Sequence, residues 1–135
     1  MISISVQVQN RRDSHQIELT TNSNVHSIIV PPRSSANGGE LLFLALATCY
    51  CNDIYREAGK RNIVVRSVQV EVSGTFGDAP GSTAENLSYR ATVEAEASQQ
   101  DIEALMRYTD TVAEIQNTIR LGIPVTLAEI HAIAV

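Results

Sequence analysis

The chain has 135 residues, 44% of them hydrophobic and 19% charged, which fits a single globular domain (residues 1–135) able to bury a core. Its 15 acidic and 10 basic residues leave a formal net charge of -5, and scattered basic residues speak against phosphate-backbone binding as the main task. Two cysteines are too few for a disulfide framework or a zinc cage built from thiolates alone.

Residues 2–9 alternate Ile2, Ile4, Val6 and Val8 with Ser3, Ser5, Gln7 and Gln9, the period of a half-buried strand. This alternation starts at once, so a charged-then-apolar leader is not expected. The longest apolar run, residues 41–47, falls far short of the roughly 20 residues of a membrane span. A cytoplasmic protein is expected, without a membrane or nucleic-acid partner.

Residues 10–14 read as a turn and residues 16–21 as a second strand carrying Ile17 and Leu19. A third short strand spans residues 25–30, and Pro31-Pro32 ends it because proline donates no ladder hydrogen bond. Residues 33–39 form a polar loop.

Residues 40–59 predict a helix whose first half, residues 41–47, is apolar on every face; Gly59 supplies the stop. A helix with no polar side must be enclosed all round. Leu41, Leu42, Phe43, Leu44 and Leu46 cannot all face one small sheet, and each gains about 1.5–3 kcal/mol from full burial. A second copy of the chain in a twofold dimer meets that need. Cover from the second helix in a monomer is the alternative.

Residues 64–74 and 86–97 read as a hairpin, with Val68, Val70, Val72, Leu87, Tyr89, Ala91, Val93 and Ala95 facing inward. Ser98 is the N-cap of a second helix, with acidic Asp101 three residues on. That helix carries Ile102, Leu105, Met106, Thr109, Val112, Ala113, Ile115 and Ile119 at helical spacing, and Gly122 and Pro124 end it. Residues 125–135 alternate as a closing strand. The order is βββ-α-ββ-α-β, an α+β fold.

Cys49 lies where the apolar half of the first helix gives way to polar residues, so a thiol there is desolvated yet reachable from a cleft. Taken alone, a cysteine in a Leu/Ala helix reads as a small packed hydrophobe. Reactivity needs a neighbouring cation or hydrogen-bond donors that favour thiolate. Cys51 points away, roughly 200° around the helix from Cys49, so the two neither pair nor share a metal easily. It reads as packing. Glu40 complements the dipole at the helix start. Arg11 and Arg12 read as loop charges, His26 as a surface or interface residue, and His15 and His131 have no companions for a triad. No phosphate loop, dinucleotide fingerprint or serine elbow is present, so neither cofactor nor metal is expected.

The run Gly39-Glu40-Leu41-Leu42-Phe43-Leu44-Ala45-Leu46-Ala47-Thr48-Cys49 resembles the thiol-bearing helix of the OsmC/Ohr family of hydroperoxide-handling proteins. Residues 25–31 resemble that family's His-containing strand and following turn, and residues 115–120 with 122–125 resemble its second helix and last connection. The resemblance covers almost the whole chain. It implies an OsmC-like fold, an intertwined homodimer with sites at the subunit interface, and a thiol peroxidase of the oxidative stress response. Cys49 would attack the peroxide, Arg12 would lower its pKa, and Glu40 would orient the arginine.

Two departures bear on turnover. The family's second cysteine aligns with Ala113, so no thiol can close a disulfide from there. The family's helix glutamate aligns with Gly39, leaving Glu40 one residue late, and its proline is replaced by Gly38. Three readings remain open. One is a peroxidase recycled by Cys51, by the partner subunit or by an external thiol; another is a non-catalytic dimer binding a small apolar ligand; the third is a redox-sensing thiol protein.

Overall fold

The structure is a computed structural model describing residues 3–11, 14–21, 24–28 and 38–135. The chain divides into two compact units, Met1–Glu40 and Leu41–Val135. In the first, β1 (Ile4–Arg11), β2 (Ser14–Thr21) and β3 (Asn24–Ile28) form an antiparallel sheet in that order. Val6 stands opposite Leu19, and Leu19 opposite His26. The three expected strands are present, and matched period-two alternation sets their register.

Helix α1 (Gly38–Lys60) starts in the first unit and runs through the second. It ends differently from the expectation at Gly59. Asn62 takes the left-handed conformation (φ 56°), the Ile63 N–H donates to Ala58 O at 3.0 Å, and the Asn62 N–H to Gly59 O at 3.3 Å. This is a Schellman stop with asparagine in glycine's usual place, and partly buried Ile63 packs on the core beside it.

β4 (Val64–Phe76) and β5 (Ala84–Glu96) form the expected hairpin, a two-stranded antiparallel sheet. Val68 pairs with Val93, Val70 with Ala91 and Val72 with Tyr89, so the inward residues lie face to face. The core sits between this sheet and the helices. Tyr50, Ile54 and Ala58 of α1 meet Leu105 of α2 (Gln99–Val112) and rest on Val65, Val68, Val70, Tyr89, Ala91 and Val93. Their spacing of four residues along α1 makes one stripe. Tyr50 anchors it by donating to Met106 O at 2.8 Å and packing tilted against Tyr89 with ring centroids 5.0 Å apart.

The second predicted helix is two helices. Ser98 caps α2 as expected, accepting from the Asp101 N–H at 3.1 Å. The chain then breaks at fully buried Ala113, which is extended (φ -71°, ψ 113°), and resumes as α3 (Glu114–Leu121). Side chains take over carbonyls freed at the break: Asn117 Nδ2 donates to Thr111 O at 3.0 Å, and Arg120 Nη1 to Asp110 O at 3.1 Å. No proline or glycine marks this break, so the helical periodicity of the sequence runs straight through it. Gly122 ends α3 in the left-handed conformation, as expected.

The closing strand is not formed. Residues 123–135 have no regular structure and are exposed throughout. Alternation decides which face of a strand is apolar, but a strand also needs an edge to bond to. No strand among the described residues pairs with this segment. Nor do the described residues enclose the apolar half of α1: Leu46 is buried, while Leu41, Leu42 and Leu44 remain 46%, 37% and 59% exposed. No helix among the described residues is long and apolar enough to cross a membrane.

Candidate functional site

Cys49 is one turn past Leu46 on α1, partly buried and unpaired, as is Cys51. An α-helix brings residues four apart onto one face, so Asp53 lies beside Cys49 and Arg56 continues the row. The Cys49 thiol donates to Asp53 Oδ2 at 3.6 Å. The break at Ala113 turns α3 so that its first residues meet the same sulfur. Glu114 Oε2 is 3.8 Å from Sγ, and the Ile115 backbone N–H bonds to it.

Arg56 ties the two carboxylates together. Its Nη1 lies 3.0 Å from Asp53 Oδ1 and 2.8 Å from Glu114 Oε1, and its Nε bonds Glu57 Oε2 at 2.8 Å. Lys60 Nζ adds a further contact to Glu57 Oε2 at 3.0 Å. One oxygen of each carboxylate thus serves the guanidinium and the other faces the thiol. Cys49, Asp53 and Glu114 present atoms within 4.8 Å of one another, a spacing a metal ion could use. Arg56 pairs with one oxygen of each of these acids.

Burial pushes the Cys49 thiol above its ordinary value. The Ile115 N–H opposes this, while the Asp53 charge and hydrogen bond and the Glu114 charge add to it. Burial also raises Asp53, helped by the hydrogen bond and charge of Glu114 and opposed by Arg56 and Cys49. Glu114 is held low, chiefly by its own backbone N–H at the start of α3, with Asp53 and Arg56 assisting against burial. A proton in this group therefore resides on the thiol or on Asp53 before Glu114.

The buried Glu57 carboxyl is held below the carboxylate range by Arg56 first and Lys60 second. A depressed carboxyl contributes stability above its unfolded-state pKa and loses it as pH falls through the lower folded value. Acid titration followed by circular dichroism is therefore expected to show stability falling below about pH 4.5. Glu57→Gln should flatten that limb; an unchanged limb would place the acid sensitivity elsewhere.

At Leu46, one turn before Cys49 on α1, lies a cleft of about 230 Å³, lined also by Val72, Leu87, Tyr89, Gln116 and Ile119 among others. Gln116 is buried and its Nε2 donates to Leu46 O at 3.0 Å, while its Oε1 has no donor among the described residues. Tyr89 and Arg120 both bond Asp110 at this end of the molecule, Arg120 at 2.7 Å.

The expected site residues come together only in part. Cys49 is in a populated polar site. Arg12 lies outside the described residues, and Arg11 and His26 are placed in the backbone of β1 and β3. Glu40 is exposed in the first turn of α1, and among the described residues the carboxylates facing the sulfur are Asp53 and Glu114. Cys51 lines a separate shallow hollow with Ala47, Thr48, Asn52 and Val70. Ala113, the position aligned with a second cysteine, is adjacent in sequence to the Glu114-Ile115 pair that touches Cys49. His131 pairs with Glu129 in the exposed terminal segment.

No curated protein matches the sequence. Solved structures do match the fold. An OsmC-like protein from Mycoplasma pneumoniae superposes with a TM-score of 0.66 at 14% identity, covering 87% of each chain. An OsmC-like hydroperoxide resistance protein from Jannaschia sp. CCS1 gives 0.54 at 12% identity, covering 93% of this chain and 89% of the other. An organic hydroperoxide resistance protein OsmC from Legionella pneumophila gives 0.53 at 16%, covering 87% and 89%. Identities this low carry the architecture alone. The family model for OsmC-like protein matches residues 31–128, which spans α1, the hairpin, both later helices and the thiol site, and the chain therefore belongs to the OsmC-like family.

Proposed function

We propose that this chain is a thiol-dependent hydroperoxide reductase in which Cys49 is the attacking thiol and an external thiol regenerates it. The observation that carries this reading is the meeting of Cys49 with the start of α3. A partly exposed sulfur there has a hydrogen-bonding carboxylate on one side and a backbone N–H on the other. The apolar cleft one turn away, at Leu46, suits the hydrocarbon part of an organic hydroperoxide. Family membership and the hydroperoxide-resistance names of structural neighbours point the same way.

The chemistry balances without a second protein thiol. Cys49–SH and ROOH give Cys49–SOH and ROH, the sulfur losing two electrons to the O–O bond. Two external thiols then return Cys49–SH, releasing one disulfide and one water. Rapid-mixing measurement of cumene hydroperoxide consumption under excess dithiol tests the reading. A rate no better than that of a free small-molecule thiol at the same pH would remove it. Two carboxylates at the sulfur favour a second reading, a dimer binding a small apolar ligand with an oxidisable thiol, and that assay outcome would select it.

We further propose that the working form is a homodimer. The exposed Leu41, Leu42 and Leu44 form an apolar patch that the described residues leave uncovered. Leu44→Glu is expected to shift the chain to monomer in sedimentation velocity at micromolar concentration. An unmodified chain already monomeric there would sink the proposal.

A further inference from the structure

Resting on the reading of Cys49 as the attacking thiol, we infer that Asp53 is its proton acceptor, with Glu114 and Arg56 as positioning residues. Arg56 Nη1 takes Asp53 Oδ1 and Glu114 Oε1, which leaves Asp53 Oδ2 at 3.6 Å and Glu114 Oε2 at 3.8 Å from Sγ. Asp53 is buried, so its Oδ2 meets the thiol with little competition from water. Glu114 is exposed at the opening of the site. The groups facing Sγ among the described residues are thus Asp53 from α1 and Glu114 with the Ile115 N–H from α3. None of the charged ones is a cation that would hold a standing thiolate.

A thiol in such a place reacts by giving up its proton during attack. Asp53 Oδ2 takes the proton as sulfur bonds to the terminal peroxide oxygen. The O–O bond breaks, the alkoxide RO⁻ leaves, and the proton on Asp53 passes to it to give ROH. Cys49–SOH remains, and Asp53 is again a carboxylate. Burial raises the proton affinity of Asp53, which makes its carboxylate a stronger base than a solvated one. Glu114, held low, keeps its charge and, with Arg56, fixes the orientation of Asp53.

The test uses the full chain carrying Cys51→Ser, so that one thiol is read. Asp53→Asn is expected to slow cumene hydroperoxide reduction about 100-fold or more at pH 7, and Asp53→Glu to recover part of the rate. In the same Asp53→Asn chain, alkylation of Cys49 by iodoacetamide should titrate at lower pH, because a negative neighbour has gone. Easier ionisation with slower reduction is the pair of results a merely electrostatic neighbour would not give. Asp53→Asn reducing hydroperoxide as fast as its parent overturns the assignment and leaves the Cys49 reading intact. A parent chain no faster than Cys49→Ser overturns both. Should Asp53→Asn not fold, the parent's pH–rate profile decides the matter. A rate level from about pH 8 to about pH 6 supports a carboxylate base, and a tenfold fall per pH unit, the mark of free thiolate attack, overturns it.

Discussion

Cys49→Ser is expected to bring hydroperoxide consumption down to the rate of the reducing buffer alone. The loss follows from the element, not from the shape. A serine hydroxyl in the same place can still donate to Asp53 Oδ2, so the hydrogen-bonded frame of Asp53, Arg56 and Glu114 survives. Its oxygen, however, has no two-electron oxidation equivalent to a sulfenic acid, and the peroxide bond finds no reductant. Because Cys49 is only partly buried, the swap should change unfolding free energy by less than about 1 kcal/mol. Stopped-flow rates and a denaturant curve on the same sample check both halves. A folded variant with full activity would assign the chemistry to another group, and a variant that unfolds would make Cys49 a packing residue.

Ile54→Ala is expected to carry the largest stability loss, about 2–5 kcal/mol. Ile54 is 0% exposed and belongs to the stripe of α1 that joins Tyr50 and Ala58 to Leu105 of α2 and the inner face of the hairpin. Truncation removes the transfer free energy of three carbons and leaves a cavity. Its walls are held on one side by the β4–β5 pairing and on another by the Tyr50 bond to Met106 O, so they close poorly. Against the 5–15 kcal/mol typical of a small domain, that is a large share. Guanidinium unfolding at equilibrium measures it; a shift below about 1 kcal/mol would show that the site relaxes and that the core is centred elsewhere.

Much of the architecture was legible because apolar spacing dictates which faces are hidden. The β4–β5 hairpin, its inward residues and the cap at Ser98 follow directly from period-two alternation and from a side chain able to accept an amide hydrogen bond. The break at Ala113 was not legible. Ala113 is fully buried there, with Asn117 and Arg120 side chains on the freed carbonyls, and that burial depends on tertiary packing. The stop at Asn62 instead of Gly59 is a finer case, since asparagine tolerates the left-handed conformation that glycine usually supplies.

The site divides in the same way. Asp53, four residues past Cys49, and Arg56, three further on, are a row that helix periodicity alone reveals. Glu114 is 65 residues away from Cys49, and nothing in its local sequence distinguishes it from a solvated acid at a helix start. The residues by themselves determined an α+β chain with a greasy first helix carrying a thiol at its polar boundary, because hydrophobic period and burial are local consequences of composition. Only the tertiary structure decided what surrounds that thiol. Contacts between distant segments depend on where a helix breaks, and here a break without proline or glycine turns a carboxylate and an amide N–H onto the sulfur.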